Sequence, residues 1–510
     1  MNTAGVKDVG VLIVGGGPTG LAASLLLSRF GVSSLLVERH PGTSIFPRAT
    51  GINARTMEIL RSLGLEDEVR RASFTAVPRI ARSKTLIDAE VAEAGTPLGE
   101  MSRLSPTRWM SCSQYELEPI LARAAAAQSA AQLRFGTELL DFEQGAQGVI
   151  ARVADRATGD VTEIRSEYLI GADGSRSPVR ERLGISMQGP GEMMRLVSIH
   201  FHAPLRRLMN RDPYFLHFVE GNEPCLFVTT DNESRWMLNV PVESPEGTSR
   251  MSMDHSQLAE LVRERAGVAD LDVKVQGTVE WTLQADWAQS YRAGRVFLAG
   301  DAAHRMTPAG GHGLNTGVQE AHNLAWKLAA VLEGWADEAL LDSYESERMP
   351  VGRFNAMHSV ELIAGPPPES GSPAVELELV YGQDGAAGPR FAPGAEPGAR
   401  APHMWLDADT STIDLFGRGF MLLTGARGGG WAAAAKAIAT ERSVPIGHRR
   451  MPAGEWNELY GVGDAGAVLV RPDGHVAWRA PSAVPSERCE LAQALDASLG
   501  QRPDLKSRIA

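Results

Sequence analysis

The start of the chain alternates between uncharged apolar segments and a short glycine-rich break. From Val9 to Ser28 there is no charged residue. The first half, VGVLIVG, is short and β-branched, as is typical of a buried strand. The second half, PTGLAASLLLSRFG, contains helix-forming residues between Pro18 and Gly31, which favour a helix start and stop. SSLLVER predicts a second strand, so the three segments predict a β-α-β unit in a parallel sheet.

A membrane span or a secretion signal is the alternative interpretation of this uncharged segment. Three glycines and Pro18 lie in its middle, where an isolated spanning helix would break. The preceding residues, MNTAGVKD, contain a single lysine, whereas a signal peptide begins with a basic stretch. We therefore expect a cytoplasmic protein with no membrane partner.

The later hydrophobic pattern predicts a large first domain with an insertion. Strands alternate with helices over residues 1–184, and again over 286–364, where the strand RVFLAG precedes a long helix. Residues 185–285 contain short aromatic and β-branched segments separated by turns, which favour an antiparallel sheet. We assign 1–184 and 286–364 to one nucleotide-binding domain, and 185–285 to a substrate domain to which parts of 75–112 contribute.

The last quarter of the chain predicts a separate unit. Residues 365–399 are rich in proline and glycine, which favours an extended connection. Residues 400–510 then show a compact α/β pattern. The predicted fold class is α/β, or α+β overall, with a Rossmann-like domain, an inserted antiparallel sheet and a small C-terminal domain.

Composition narrows the possible partners. The chain has 510 residues, 43% hydrophobic and 22% charged, as in an ordinary globular protein of several domains. A net charge of −12 disfavours a nucleic acid partner, which requires clustered positive charge. Cys112, Cys225 and Cys489 have neither zinc-type nor C-x-x-C spacing, so we expect no metal site and a reducing compartment.

The first chemical motif is a G-x-G-x-x-G sequence formed by Gly15, Gly17 and Gly20. In such a motif the three glycines permit a tight turn, close approach of a pyrophosphate, and packing of the helix on the strand. The helix that starts at Pro18 and Thr19 then presents its unpaired N–H groups, from Thr19 onward, to the phosphates. Glu38 ends the second strand, where it can bind a ribose hydroxyl. A tight turn with a surface glutamate is the alternative, and the motif does not distinguish NAD from FAD.

The second motif, RVFLAGDAAHRMTPAGGHGLN, places Asp301 after an apolar strand and before a glycine-rich loop and a long helix. A carboxylate at Asp301 can accept hydrogen bonds from sugar-like hydroxyls, although an N-cap is the alternative. A helix start carries partial positive charge, which suits the negative pyrimidine edge of a reduced flavin. Backbone N–H groups of Leu314 and Asn315 are candidate donors.

The third motif, YLIGADGSRSPVRERLG, ends a strand and begins a helix. Asp173 can hold the turn while the following arginines meet phosphate or a nicotinamide nucleotide. Turn chemistry alone is the alternative, since Asp-Gly is a common turn pair.

These three motifs, in this order, resemble those of the aromatic-ring hydroxylase family of FAD-dependent monooxygenases, typified by para-hydroxybenzoate hydroxylase. FPRATGINARTMEILRSLG and SQYELEPIL also match that family, over about residues 8–360. The tail, with RPDGHVAWR, resembles the thioredoxin-like C-terminal domain of phenol hydroxylases and of bacterial polyketide-tailoring hydroxylases. Without a redox cysteine pair, this tail is expected to be structural.

The resemblance implies a set of FAD contacts. Glu38 and Arg39 would hold the adenosine, Leu139 would lie near the adenine, and Gln114 and Asp301 would contact the ribityl and pyrophosphate groups. Arg48 would lie beside the flavin or pyrophosphate, or else be a surface arginine. His312 would modulate the flavin charge or face solvent. The complete set of implied cofactor residues is Gly15, Gly17, Pro18, Thr19, Gly20, Glu38, Arg39, Arg48, Gln114, Leu139, Asp173, Asp301, Pro308, Gly313, Leu314 and Asn315.

The resemblance also implies the reaction. NADPH or NADH would reduce FAD, and the reduced flavin would react with O2 to form a C4a-hydroperoxide. This species would hydroxylate an electron-rich aromatic ring of a phenolic or quinone-like polyketide. A phenolic substrate needs a base. Arg48, His217, Tyr214 and His304 are candidates for the catalytic groups, and none of them is assigned.

Other functions remain open at this level. Baeyer–Villiger oxidation or epoxidation of a polyketide would use the same cofactor. A non-catalytic nucleotide-binding protein or an NAD-dependent dehydrogenase would not require the loop around Asp301. The protein is expected to be a monomer or a homodimer.

Overall fold

The computed structural model has three sheets of four or more strands, each packed against helices. Its helices are α1 (Pro18–Arg29), α2 (Ala54–Ser62), α3 (Glu66–Ala72), α4 (Gln114–Ala126), α5 (Pro178–Arg182), α6 (Leu205–Leu208), α7 (His255–Ala266), α8 (His312–Leu332), α9 (Asp342–Ala364), α10 (Gly429–Arg442), α11 (Glu455–Tyr460) and α12 (Glu487–Ser498). The described residues are 7–45, 49–74, 77–88, 90–92, 103–209, 214–220, 223–231, 233–244, 247, 249–364, 377, 379–382, 390–391 and 394–500.

The strands are β1 (Lys7–Val14), β2 (Ser34–Glu38), β3 (Gly51–Ile52), β4 (Val77–Ser83), β5 (Glu90–Ala92), β6 (Met110–Ser111), β7 (Ala131–Phe135), β8 (Thr137–Gly145), β9 (Gly148–Asp155), β10 (Val161–Gly171), β11 (Met187–His202), β12 (Tyr214–Val219), β13 (Cys225–Thr229), β14 (Arg235–Pro241), β15 (Lys274–Ala288), β16 (Arg292–Ala293), β17 (Val296–Leu298), β18 (His304–Arg305), β19 (Leu379–Val380), β20 (Arg390–Phe391), β21 (Phe420–Thr424), β22 (Ile446–Arg450), β23 (Ala467–Val470) and β24 (Val476–Ala480).

The first sheet confirms the predicted β-α-β unit. Strands β17, β10, β1, β2 and β7 are adjacent and parallel in that order, and the β8–β9 hairpin pairs with β10. Val11, Leu12 and Ile13 of β1 are completely buried, because helices cover both faces of a parallel sheet. Since the carboxyl ends of parallel strands share one edge, the residues after β1, β2, β10 and β17 lie along that edge.

The second sheet has the order β18-β15-β11-β14-β13-β12-β4-β5 and is antiparallel except where β12 meets β4. It therefore combines strands from 187–288 with β4 and β5 from the first region of the chain. Only short strands were expected here, yet β11 and β15 have 16 and 15 residues, and their pairing contains bulges. One face, with Val197, Ile199 and Leu238, forms a core with α7.

The C-terminal sheet has the order β22-β21-β23-β24, with β21 and β22 parallel and the other pairs antiparallel. Its core includes Phe420 and Trp431 and continues into Trp326 of α8. The C-terminal domain is thus packed directly on the long helix of the first domain.

Much of the predicted 365–399 connection lies outside the described residues. Among the described helices, none is long and apolar enough to span a membrane.

Five histidines titrate far below their usual range because burial disfavours the imidazolium ion. Burial lowers the pKa of His200, His312, His403 and His475 to about 4, and that of His322 to about 3. In the unfolded chain these groups titrate near 6.5, so the unfolded state binds more protons between about pH 6.5 and pH 4. The free energy of unfolding should therefore fall steeply as the pH is lowered through this window.

Thermal unfolding at half-unit steps from pH 7.5 to 4.5 measures this effect. His475→Gln, which is neutral at every pH, serves as the comparison and should flatten the curve. A midpoint that does not change between pH 6.5 and 5 would contradict the assignment of neutral buried histidines.

Candidate active site

The turn between β1 and α1 is shaped by three glycines with different roles. Gly15 has φ +112°, and a Cβ there would collide with the Ala172 carbonyl. A Cβ on Gly20 would collide with the carbonyl of Gly15. Gly17 has a φ of −75°, and a Cβ there would meet no heavy atom within 4 Å. Gly15 and Gly20 are therefore required by packing, whereas Gly17 leaves an open surface beside the first N–H groups of α1.

Glu38 braces this turn from the end of β2. Its carboxylate accepts the Gly16 N–H at 2.7 Å and the His40 N–H at 2.8 Å. Arg39 is exposed, and Leu139 is half-buried against the first core. One carboxylate oxygen of Glu38 also lies 2.6 Å from Nδ1 of the His40 ring. Glu38 has acceptor capacity for a ribose hydroxyl beyond these three contacts.

The second motif meets the first at Thr19. Gly300 adopts φ +62°, and a Cβ there would lie 2.6 Å from the Thr19 hydroxyl oxygen. A Cβ on Gly317, in the second turn of α8, would collide with the Thr19 hydroxyl oxygen and would lie 3.0 Å from Cα of Gly300. Three segments that are distant in sequence are thus in van der Waals contact, and they bring the exposed Asp301 next to the start of α1.

Two charged residues of the third motif make contacts within the protein. Asp173 is half-buried and accepts hydrogen bonds from the Ser177 hydroxyl and the Val179 N–H, and burial raises its pKa. Arg180 is buried and donates to the carbonyl of Ala302 at 3.0 Å. Asp173 therefore holds its own turn, and Arg180 holds the loop after Asp301 instead of a phosphate.

The start of α8 is open for a ligand. Gly311 precedes the helix with φ +64° and has no side chain to cap it. Asn315 is buried and donates to the carbonyls of Gly51 and Gly311, while its amide oxygen accepts the Asn53 N–H. Its side chain therefore joins α8 to β3 and α2, which leaves the first-turn N–H groups, including those of Gly313 and Leu314, as the candidate donors.

Neighbouring predicted residues anchor this loop. Pro308 is exposed, while Thr307 before it donates to the Ser359 carbonyl at 2.8 Å. The His312 ring packs beside that of His358, with centroids 5.6 Å apart, and its Nε2 atom is buried. His312 is half-buried with its Nε2 atom enclosed, and burial lowers its pKa to about 4, so its ring is neutral at physiological pH. A role for His312 in modulating the flavin charge stays a prediction.

Gln114 links two loops near the edge of the site. Its N–H donates to the Ala49 carbonyl at 2.7 Å, and its side-chain amide donates to Glu118 at 2.6 Å. Ser113 precedes α4 without capping it, because its hydroxyl donates to the carbonyl of Thr230, the residue after β13. Arg48 lies outside the described residues.

The catalytic candidates fall on different faces of the second sheet. His217 is fully buried, pairs with Phe227, and contacts the Trp236 ring, both of which belong to the core under α7. That position removes the support for His217 as a base. Tyr214 begins β12, but its side chain lies outside the description. His304 is fully buried against Glu320.

The opposite face of this sheet carries a polar cluster that the sequence did not reveal. Ser198 and Asn239 are directly paired across β11 and β14, and the Trp281 indole N–H donates to the Ser198 hydroxyl at 2.8 Å. His200 shares this face because it lies two residues further along β11. Alternation along β11 was the available signal, but only the register with β14 brings Asn239 into the cluster.

In the part of the chain that the structure describes, no group of three or more metal-ligating side chains lies together. The open surface at Gly17, the exposed Asp301 and the uncapped start of α8 suit a ligand with phosphate, sugar and a polar ring edge, as FAD has.

Comparison with known proteins defines the class. The FAD binding domain family matches residues 8–359, and the aromatic-ring hydroxylase C-terminal family matches 395–502. The chain therefore belongs to the FAD-dependent aromatic-ring hydroxylases. It is a flavoprotein monooxygenase with FAD as its cofactor, which confirms the resemblance seen in the sequence.

Three individual proteins illustrate the similarity. A putative polyketide hydroxylase from Streptomyces halstedii is 40% identical, covering 95% of this chain and 96% of its own. Tetracenomycin A2 monooxygenase-dioxygenase from Streptomyces glaucescens is 39% identical, covering 97% of both chains. The ternary complex of aklavinone-11 hydroxylase with FAD and aklavinone has a TM-score of 0.90 and 35% identity, covering 98% of this chain and 100% of that one.

Proposed function

We propose that this monooxygenase inserts oxygen into an electron-rich ring of an aromatic polyketide, using NADPH or NADH and O2. The similar proteins that carry polyketide names support the substrate class. The meeting of Gly300 and Gly317 on Thr19 is the observation that carries the cofactor site, because it joins the first and second motifs beside the open surface at Gly17.

The proposed FAD position follows from three features of the site, which are the start of α1, the exposed Asp301 and the start of α8. The first N–H groups of α1, at Thr19 and Gly20, would face the pyrophosphate across Gly17. Asp301 would accept hydrogen bonds from the ribityl chain, and N–H groups at Leu314 and Asn315 would bind the pyrimidine edge of the ring. When bound, FAD accepts a hydride from NAD(P)H and activates O2, while the protein orients the reactants and excludes water.

The substrate would lie between the start of α8 and the polar face of the second sheet. The hydrogen bond from Ser113 to Thr230 joins that sheet to the first domain, and β18 joins its other edge shortly after Asp301. Because burial lowers the pKa of His200 to about 4, its imidazole is neutral at physiological pH. A neutral imidazole can accept a hydrogen bond from a phenolic hydroxyl.

Two further expectations belong to this proposal. Cys112, Cys225 and Cys489 are free thiols, which supports a reducing, cytoplasmic location. The proposed site is built from one chain, and a monomer or a homodimer would accommodate it.

The test begins with the visible spectrum of the purified protein, which should show the two flavin bands. NADPH and NADH oxidation is then measured with hydroxyanthraquinones and related polyphenols, and the products are analysed by mass and NMR spectroscopy. An added oxygen atom on an intact aromatic ring supports hydroxylation, whereas a lactone or an epoxide indicates the alternative reactions. A protein that is colourless and does not take up FAD would overturn the proposal.

Asp301→Ala should weaken FAD binding about tenfold or more, because the ribityl hydroxyls lose a charged acceptor. Fluorescence titration of the apoprotein with FAD measures this change. Asp272→Ala is the matched control, since Asp272 is an exposed aspartate before β15 and away from the site. Equal affinities in both variants would contradict the assignment of Asp301.

A further inference from the structure

A buried glutamate in the middle of α8 has no part in the proposed contacts with FAD. Glu320 lies about two turns after the helix start, and its side chain is completely buried. A carboxylate in such a position is costly unless it is paired and hydrogen-bonded. Its partners therefore indicate what it does.

Both partners of Glu320 belong to the loop that carries Asp301. The Oε2 atom of Glu320 accepts the Gly300 N–H at 2.8 Å, and the same atom lies 3.0 Å from Nε2 of His304. His304 is also completely buried. The carboxylate thus binds the loop on both sides of Asp301, and His304 fixes the orientation of the carboxylate.

The loop needs such a support because of its backbone. Gly300 is in the left-handed region at φ +62° and is pressed against Thr19. On the far side, Arg180 binds the carbonyl of Ala302. The Gly300 N–H and the Ala302 carbonyl, which flank Asp301, are consequently held by two buried charged side chains. Asp301 itself is exposed.

We propose that Glu320 is a positioning residue for the cofactor, which acts by holding the Gly300 N–H so that Asp301 faces the start of α1. This inference rests on the proposed role of Asp301 in FAD binding. A purely structural role for Glu320 would instead lower the stability of the fold without any dependence on Asp301.

A double-mutant cycle separates these roles. The variants are Glu320→Leu, Asp301→Ala and their combination, and the measurement is the FAD dissociation constant of the apoprotein by flavin fluorescence. Glu320→Leu should weaken FAD binding about tenfold, and it should add little once Asp301 is alanine, because coupled residues are not additive. Full additivity of the two effects would overturn the inference.

Two further variants control for stability. Glu320→Gln keeps an acceptor oxygen for the Gly300 N–H and should recover most of the FAD affinity. If Glu320→Leu does not fold, Glu320→Gln enters the same cycle, with a smaller effect that again disappears when Asp301 is alanine. Glu347→Leu removes another largely buried carboxylate, one that binds Arg471, and should lower the unfolding temperature without changing FAD affinity.

The outcomes distinguish this inference from the proposed function. If the wild-type protein takes up no FAD, the proposed function itself is wrong. If Asp301→Ala binds FAD normally, the assignment of Asp301 is wrong. If Glu347→Leu weakens FAD as much as Glu320→Leu does, the effect of Glu320 is one of general stability and the inference fails.

Discussion

Gly17→Asp should abolish FAD binding and leave the folded protein at least as stable as before. The φ of Gly17 is −75°, which any residue adopts, and a Cβ there meets no heavy atom within 4 Å. Gly17 is also the residue before α1, where an aspartate in place of glycine stabilises a helix by roughly a few tenths of a kcal/mol. The same carboxylate would occupy the position of the pyrophosphate and repel its negative charge. FAD affinity should therefore fall by about a thousandfold or more. FAD titration and thermal unfolding of the apoprotein measure the two effects.

Two related variants make this experiment specific. Gly17→Asn is a neutral helix cap of nearly the same size, so it should weaken FAD binding less than aspartate does. Gly15→Ala should lower both stability and FAD binding, because its Cβ would collide with the Ala172 carbonyl at a φ of +112°. A Gly17→Asp protein that remained yellow after dialysis would show that the phosphates do not lie at this turn.

The parts of the site that were predictable are those encoded by local sequence. The β-α-β unit follows from one uncharged segment, and Gly15, Gly17 and Gly20 follow from a single turn. The break at Gly64 between α2 and α3 is also local, since this glycine has a positive φ of 75°. The resemblance of three short motifs was then sufficient to identify the family, which the comparisons confirm.

The parts that were not predictable depend on contacts between distant segments. The pattern around Arg180 suits a phosphate site, and only the position of the Ala302 carbonyl shows that the arginine binds the protein itself. Asn315 is a reasonable flavin ligand in sequence, but its side chain is used by Gly51, Asn53 and Gly311. Such choices are decided by tertiary packing, which a single sequence does not display.

The second sheet shows the same limitation. Side chains along β12 point alternately to the two faces of the sheet, so the sequence alone does not show which face carries His217. The pairing of His217 with Phe227 places it on the face that packs against α7. A slip of one residue in register would reverse that assignment. The parallel pairing of β12 with β4, across more than a hundred residues, was equally beyond local patterns.

The C-terminal domain was expected to be structural, and its junction with the first domain supports that expectation. Arg471 binds the Glu347 carboxylate of α9 at 2.6 and 2.9 Å, and Lys327 of α8 binds it at 2.8 Å. Burial would raise the pKa of Glu347, but Arg471 and Lys327 outweigh it and lower the pKa to about 2. The glutamate therefore stays charged inside the junction at neutral pH.

Arg471→Met should destabilise the protein by about 3–5 kcal/mol, because it leaves the buried carboxylates of Glu347 and Asp473 with too little positive charge. The lowered pKa of Glu347 contributes stability above about pH 4.5, and this contribution is lost towards pH 2. The difference in unfolding free energy between wild type and variant should therefore be greatest at neutral pH and should shrink in acid. Urea unfolding followed by tryptophan fluorescence is suitable, because Trp326 lies in the shared core.

The matched control for this prediction is Arg488→Met, which removes an exposed arginine that pairs with Glu441 in the same domain. Exposed pairs contribute at most about 1 kcal/mol, so this variant should unfold nearly as the wild type does. If Arg471→Met were equally mild, the ionic junction would not hold the domains together, and the apolar contacts between Trp326 and Phe420 would have to do so alone. A large and pH-dependent loss in Arg471→Met would instead show that the ionic junction with α8 and α9 holds the C-terminal domain to the first domain.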